Sequence, residues 1–298
     1  MSARTQYARP RSVAQASQLL AQVTSGAMII AGGQDLMPHL NHARVTPALL
    51  VDVSGLDELR AIEVDGECLS LGGLVVHREL QSDALVARHA PLLAAAARAI
   101  GGGWQVHNRA TLGGNLASQH PLYDLMPALL ALDAEVELHD ADGLRRVPLA
   151  LLARRAPGLG TRTLLTRVMV PLSAPATAWA YRKLEITDGS YASANAAVVL
   201  RVDARQRLAA CRLVVGAVSE QPLDVSHVVH TLLDQPLARV ANFAIEDAVR
   251  DAVTEPLDDQ RGHADYRRAM AGVMAAHALR AALTVAMTRA AGAENADE

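Results

Sequence analysis

The chain has 298 residues, 51% of them apolar and only 3% aromatic, with 28 basic against 31 acidic side chains and a formal charge of -3. That is enough apolar material for a real core, and the length suits about two domains. Acids and bases are mixed along the chain, so it has neither the basic stripe nor the aromatic stacking platform that nucleic-acid binding needs.

The first residues, MSARTQYARPR, are polar and lead into an amphipathic segment, not the apolar region of a signal peptide. Ser12 starts a helix: Gln15 stands in capping-box position, Val13, Ala16, Leu19, Leu20 and Val23 share a face, and Gly26 follows the end. Met28–Ala31 reads as a short buried strand running into Gly32-Gly33, and Ala48–Asp52 as a second. Arg60–Val64 and Cys68–Gly72 flank Asp65-Gly66, a strong hairpin signal. Helices are expected over His77–Arg88 and Pro91–Ile100, the second with proline at its start and Gly101-Gly102-Gly103 at its end.

Trp104–Ala110 precedes a second glycine pair, and Pro121–Leu132 reads as helical. Ala134–His139 and Arg145–Pro148 form strands around a DADG turn, and Thr163–Val170 alternates up to Pro171. The composition shifts around Ser173–Thr177, which reads as a linker. Beyond it come Ala178–Leu184, Ala194–Asp203 and Leu208–Ala217, the last two an antiparallel pair. Helical segments follow at Leu223–Leu233, Val240–Val253 and His263 to about Ala291. The layout is α+β: an N-terminal domain of mixed short strands and helices, then a smaller domain with three antiparallel strands and a helical end.

Cys68 and Cys211 lie in alternating apolar runs and read as buried small hydrophobes. Two cysteines cannot supply a four-cysteine iron–sulfur site, nor do they outline a secreted disulfide framework. No run reaches the roughly 18 uninterrupted apolar residues of a membrane span, and the expected location is cytoplasmic.

The two glycine pairs carry the chemistry. Met28–Leu36, MIIAGGQDL, runs a strand into Gly-Gly, so backbone N–H groups can turn outward together with no Cβ in the way of an anion. Phosphate oxygens are the usual guest, each charge-assisted bond contributing about 1.5–3 kcal/mol. Arg109–Ala117, RATLGGNLA, repeats the pattern and adds a hydroxyl and an amide. Either pair alone reads equally as an ordinary turn. Neither matches GxGxxG or a P-loop, so a dinucleotide held here is not held in the Rossmann manner. His39 and His42, spaced HLNH, lack the further ligands of a metal site and read as polar loop histidines.

In this order, AGGQDL, RATLGGNLA, YDLMPALLALDAEVEL, LLTRVMVP and YRKLEITDGSYASANAAVVL resemble the flavoprotein (medium) subunit of molybdenum hydroxylases. That family includes the medium subunits of carbon monoxide, nicotine and caffeine dehydrogenases and the FAD domain of xanthine dehydrogenase. The paired AGGxDL and T[IL]GGN segments are the specific part; the C-terminal helices are not. The resemblance implies the two-subdomain FAD-binding fold of the vanillyl-alcohol oxidase/MurB type. Residues 1–174 would form it, split near residue 54, followed by a C-terminal flavoprotein domain over 175–291 and a frayed tail over 292–298.

The resemblance also implies noncovalent FAD. Ile29, Ile30, Ala31, Gly32, Gly33, Gln34, Asp35 and Leu36 would wrap its pyrophosphate, and Thr111, Gly113, Gly114 and Asn115 would make the second contact. Asp124 matches an aspartate near the ribose; taken alone it reads also as a helix-start acid on the macrodipole. Leu165 matches a position packing near the flavin, or simple strand core. Lys183 matches a lysine at the flavin, or a solvated surface lysine, and Tyr191 a position near the isoalloxazine. Three departures stand out. Gln34 replaces the more usual Thr, Ser or His, His107 stands where Arg is common, and SQHPLYD, with His120 and Tyr123, replaces a small-residue run before Asp124.

By the same resemblance, substrate hydroxylation occurs on a large molybdenum-cofactor subunit. Electrons pass through a small [2Fe–2S] subunit to this FAD and on to NAD, oxygen or a quinone, in a heterotrimer. The alternatives are a free-standing flavin-dependent oxidoreductase of the same fold and a non-catalytic scaffold whose glycine pairs are empty turns.

Overall fold

The structure is a computed structural model of the chain, in which residues 5–23, 25–153, 159, 161–174 and 176–294 are described. It divides into two compact units. One gathers Met1–His89, Gly102–His120 and Asp133–Pro171; the other gathers Ala90–Gly101, Pro121–Leu132 and Leu172–Glu298.

In the first unit, β1 (Gln6–Ala8), β2 (Ala27–Ile30) and β3 (Leu49–Asp52) form a parallel sheet in the order β1-β3-β2. β1 was not foreseen: three residues in a polar lead carry no period to read. The helix Val13–Gln22 starts as expected, with Ser12 Oγ accepting from the Gln15 amide at 3.1 Å. The Gln15 side chain reaches back one residue further than a standard box, to the Arg11 amide at 2.6 Å. Val13, Ala16 and Leu20 are buried against Val51 and Leu49.

A second, antiparallel sheet holds β4 (Ile62–Asp65), β5 (Cys68–Gly72), β6 (Glu135–Asp140), β7 (Gly143–Pro148) and β8 (Leu164–Pro171), in the order β4-β5-β8-β6-β7. The hairpin at Asp65-Gly66 is present, with Gly66 at φ +59°. β8 does not alternate. It lies between β5 and β6 and is buried from Leu164 to Val170 except at Arg167, which pairs with Glu63 at 2.7 Å; the terminal Pro171 is exposed. The single helix expected over His77–Arg88 is two, His77–Ser82 and Ala84–His89. Asp83 breaks it by accepting from the Leu85 and Val86 amides at 2.8 and 3.1 Å, starting a new helix. Cys68 is only half-buried at the first residue of β5.

The second unit carries four strands where three were expected: β9 (Thr177–Glu185), β10 (Ala192–Val202), β11 (Leu208–Gly216) and β12 (Leu223–Asp224), ordered β12-β11-β10-β9. β12 and a 3-10 turn, Ser226–Leu232, replace the expected helix Leu223–Leu233. Val240–Val253 is two short helices, Leu237–Ala241 and Glu246–Ala252. Cys211 is buried on β11, and burial pushes its thiol up to about 12. The long helix Ala264–Glu294 continues past the expected start of the frayed tail at 292; residues 295–298 of that tail, and Pro175 of the expected linker, lie outside the described residues. By length and composition this helix is apolar enough to cross a membrane, but more than half of that stretch is buried inside the fold. Ala271, Ala275, Leu279 and Leu283 share a core with Val198, Leu200 and Val215.

That helix is pinned by Arg267, whose side chain is fully buried. Its guanidinium donates to the Ser193 carbonyl at 2.8 Å, to the Ala217 carbonyl, to the Gly262 carbonyl at 3.2 Å and to Asp259 at 2.5 Å. Arg267→Ala would leave these acceptors without their donor, and the expected cost is about 3–5 kcal/mol, read as a lower urea midpoint with unchanged slope.

Candidate functional site

The first glycine pair sits where β2 ends. Gly33 takes φ +73°, the turn spans Ala31–Asp35, and a short helix, Leu36–Asn41, begins directly after. Gln34 and Asp35 are exposed and Gly32 and Gly33 half-buried. Among the described residues, none of the amides of Gly32, Gly33, Gln34 and Asp35 finds an acceptor. The half-buried Gly32 and Gly33 amides and the exposed Gln34 and Asp35 amides have no partner among the described residues, and side by side they form a donor set suited to an anion. Gly32 is there for a second reason. A Cβ on it would lie 1.9 Å from the Arg109 carbonyl oxygen and 3.2 Å from Ala110 Cα. The bare backbone of the first segment therefore rests on the backbone that leads into the second.

The second pair does not repeat the first. Thr111 is the N-cap of a helix, Leu112–Ser118, and its Oγ1 accepts from the Gly114 amide at 3.1 Å. The Leu112, Gly113 and Asn115 amides go to the carbonyls of Val75, Gly73 and Thr111, at 2.8, 2.8 and 2.9 Å. The expected second row of outward N–H groups is thus already bonded within the chain. A threonine cap and the buried Leu112 and Leu116 favour a helix start over an open loop. What this segment offers is the exposed Gly114, the Thr111 hydroxyl and the Asn115 side chain, whose buried Oδ1 has no partner among the described residues.

Gly113 rests on Gly73: a Cβ at 113 would lie 2.8 Å from the Gly73 carbonyl oxygen, and one at 73 would lie 2.5 Å from that of Leu165. The structure thus brings three expected segments of this unit together, 29–36, 111–115 and the backbone of Leu165, with the Leu165 side chain in the core. Gly73 was overlooked, although Gly72-Gly73 is a further glycine pair following an apolar strand.

The second unit holds Asp124, Lys183 and Tyr191. Asp124 occupies the N-cap position of the helix Leu125–Ala131 but makes no cap bond. Its Oδ1 accepts from the Tyr181 hydroxyl at 2.6 Å and from Asn195 Nδ2 at 3.4 Å, and its Oδ2 from Lys183 Nζ at 3.3 Å. Lys183 Nζ also donates to the Ala99 carbonyl at 2.7 Å. Glu185 Oε2 stands 3.2 Å from it, within ion-pair reach but off the line of a hydrogen bond. The Lys183 and Asp124 side chains are 6% and 5% exposed, so neither the helix-dipole acid nor the solvated lysine describes them.

Burial pushes the Asp124 carboxyl above its ordinary range, against the pull of Lys183, Tyr181 and Asn195. The Tyr181 hydroxyl is raised well above its own, by burial and by Asp124. Tyr191 is 42% exposed, stacked on Tyr123 with ring centroids 6.1 Å apart and with the Arg261 guanidinium 5.1 Å from its own. Of the departures, His107 is engaged by the Gln81 side chain at 2.6 Å; the loop histidine His39 lies 3.9 Å from Asp35. Tyr181 and Asn195 went unnoticed in the sequence. Tyr181 stands two residues before Lys183 on the same strand, and Asn195 is the cross-strand partner of Lys183.

Residues 3–173 match the family model for the FAD binding domain in molybdopterin dehydrogenase, and residues 179–282 that for the CO dehydrogenase flavoprotein C-terminal domain. The carbon monoxide dehydrogenase medium chain of Hydrogenophaga pseudoflava is 35% identical over 94% of this chain and 97% of its own. The 6-hydroxypseudooxynicotine dehydrogenase complex subunit alpha of Paenarthrobacter nicotinovorans is 30% identical over 93% and 94%. Among solved structures, carbon monoxide dehydrogenase from Hydrogenophaga pseudoflava, in a form lacking the Mo-pyranopterin moiety, superposes with a TM-score of 0.88 at 34% identity, over 94% of this chain and 98% of that one. The chain belongs to the FAD-binding flavoprotein subunits of the molybdenum hydroxylases, and it is an oxidoreductase subunit with FAD as its cofactor. The unpartnered amides of Gly32–Asp35 and the two close backbone approaches that a Cβ would block fit a diphosphate-bearing group.

His77 lies beside this site, its amide bonded to the Ala110 carbonyl at 3.1 Å and both ring nitrogens buried without a partner among the described residues. Burial, then the neighbouring His107, holds its imidazole down to about 4. The unfolded chain takes up this proton near pH 6.5 and the folded chain resists it. Stability is therefore expected to fall between pH 6.5 and about 4, by about 3 kcal/mol from this group. His77→Leu would remove that part of the slope in urea titrations run across the range.

Proposed function

We propose that this chain is the electron-transfer subunit of a heteromeric molybdenum-containing hydroxylase. It takes electrons from a [2Fe–2S] subunit and delivers them to an external acceptor, NAD, oxygen or a quinone, while a large molybdenum-cofactor subunit hydroxylates the substrate. The observation that carries the reading is the row of unbonded amides at Gly32–Asp35 in a chain similar, nearly end to end, to medium chains of such enzymes. FAD, held noncovalently, supplies the redox chemistry.

The chain's own residues bind and tune. The amides of Gly32 to Asp35 would donate to diphosphate oxygens, with Ile29, Ile30, Ala31 and Leu36 fixing the turn from either side. Gly32 and Gly113 keep side-chain atoms out of the backbone contacts that hold the segment in shape, and Thr111, Gly114 and Asn115 would complete the polar rim. Asp124 would accept from sugar hydroxyls. Lys183 would supply positive charge at the ring, its ammonium paired with Asp124 and Glu185. Leu165 and Tyr191 would pack near the ring.

Co-expression with a molybdenum-cofactor subunit and a [2Fe–2S] subunit of this family tests this reading. The expected product is one complex of three chains, yellow with flavin. Gly32→Val should assemble but lose roughly tenfold or more of its flavin, because overpacking costs about 1–3 kcal/mol. A chain that elutes alone with full FAD would contradict the complex, and full flavin in Gly32→Val would contradict the cradle.

A further inference from the structure

We infer that Tyr181 and Asn195 are positioning residues for the cofactor: they turn the Asp124 carboxylate off its own helix and hold it beside Lys183. The inference rests on the reading of Asp124 as a FAD contact.

An aspartate at the first position of a helix ordinarily accepts from that helix's own amides, yet Asp124 does not. Two donors from the neighbouring sheet take its Oδ1 instead, Tyr181 from β9 and Asn195 from β10. Oδ2 is thereby left to Lys183. The sheet is shaped for this. Asn195 lies opposite Gly216 on β11, where a Cβ would stand 2.5 Å from Asn195 Oδ1 and 2.4 Å from Pro127 Cγ. Only glycine there leaves room for the amide. The groups that face the cluster are Tyr181, Lys183 and Glu185 from β9, Asn195 from β10 and the Ala99 carbonyl; the helix Leu125–Ala131 contributes apolar side chains only. Its donors lower the pH at which this buried carboxylate takes up a proton, against burial, which raises it. Removing Tyr181 takes away one of them, so Asp124 is protonated at a higher pH and FAD is released at a higher pH.

The test is equilibrium FAD binding to the purified chain, followed by flavin fluorescence across a pH series. Tyr181→Phe should weaken binding about tenfold at neutral pH and raise the pH of release by about one unit. Asp124→Asn should weaken binding and flatten the pH dependence. Adding Tyr181→Phe to Asp124→Asn should then change nothing further, as expected for residues acting through one group. Asn195→Ala, which removes the longer bond, should shift release in the same direction by less, and it serves if Tyr181→Phe fails to fold.

Wild-type pH profiles in both Tyr181→Phe and Asn195→Ala would overturn the inference. So would an equal loss from Tyr181→Phe with and without Asp124, which would make the tyrosine a fold residue only. If Asp124→Asn itself binds FAD as wild type at every pH, the assignment of Asp124 to the cofactor fails with it. The flavin content of Gly32→Val would still report on the amide row separately.

Discussion

One contact organises the first unit: the naked backbone of Gly32 against the Arg109 carbonyl and Ala110 Cα. Two segments almost eighty residues apart can approach this closely only where one side has no side chain. The consequence is chemical as well as spatial. Braced there, the turn Ala31–Asp35 holds a tight conformation in which its amides have no acceptor of their own among the described residues. A buried N–H left unpaired costs about 1–3 kcal/mol, and of these four only the Gly32 and Gly33 amides are even half-buried. A fold that carries several side by side gains most from an anion that takes all of them together. Gly113 on Gly73 extends the same device one segment further, to Leu165.

The second unit meets charge differently. It buries an ammonium between two carboxylates and surrounds it with neutral donors and acceptors. Such a group is weak as a source of stability, since desolvation offsets most of the attraction. Its value is in fixing a positive charge and a carboxylate at defined places. Tyr191, stacked between ring and guanidinium contacts and still partly exposed, is the adaptable element beside that fixed cluster.

Local signals were legible where one residue decides one event. Ser12 caps its helix, Pro91 opens the helix Pro91–Ala99, and Gly66 turns the hairpin where the sequence placed them. The family, the fold and FAD were also readable, through the resemblance carried by five segments in order, AGGQDL and TLGGN above all. Decisions made by partners far along the chain were not legible. Lys183 is buried by Ala99 and Asp124, 84 and 59 residues away, and in sequence it resembles any surface lysine. The break at Asp83 was missed because the same carboxylate can sit on a helix or start one. β8 read as alternating, but both of its faces are covered, and β12 is too short to show a period. The likeness of the two glycine pairs was itself misleading. Thr111 makes the second a helix start whose amides are already spent.

Amide hydrogen exchange with and without FAD addresses that asymmetry directly. Exchange at Gly32, Gly33, Gln34 and Asp35 should slow strongly when the cofactor binds, while Leu112 to Asn115, bonded inside the chain beforehand, should change little. Unchanged rates at the first four residues in the flavin-loaded protein would contradict the account.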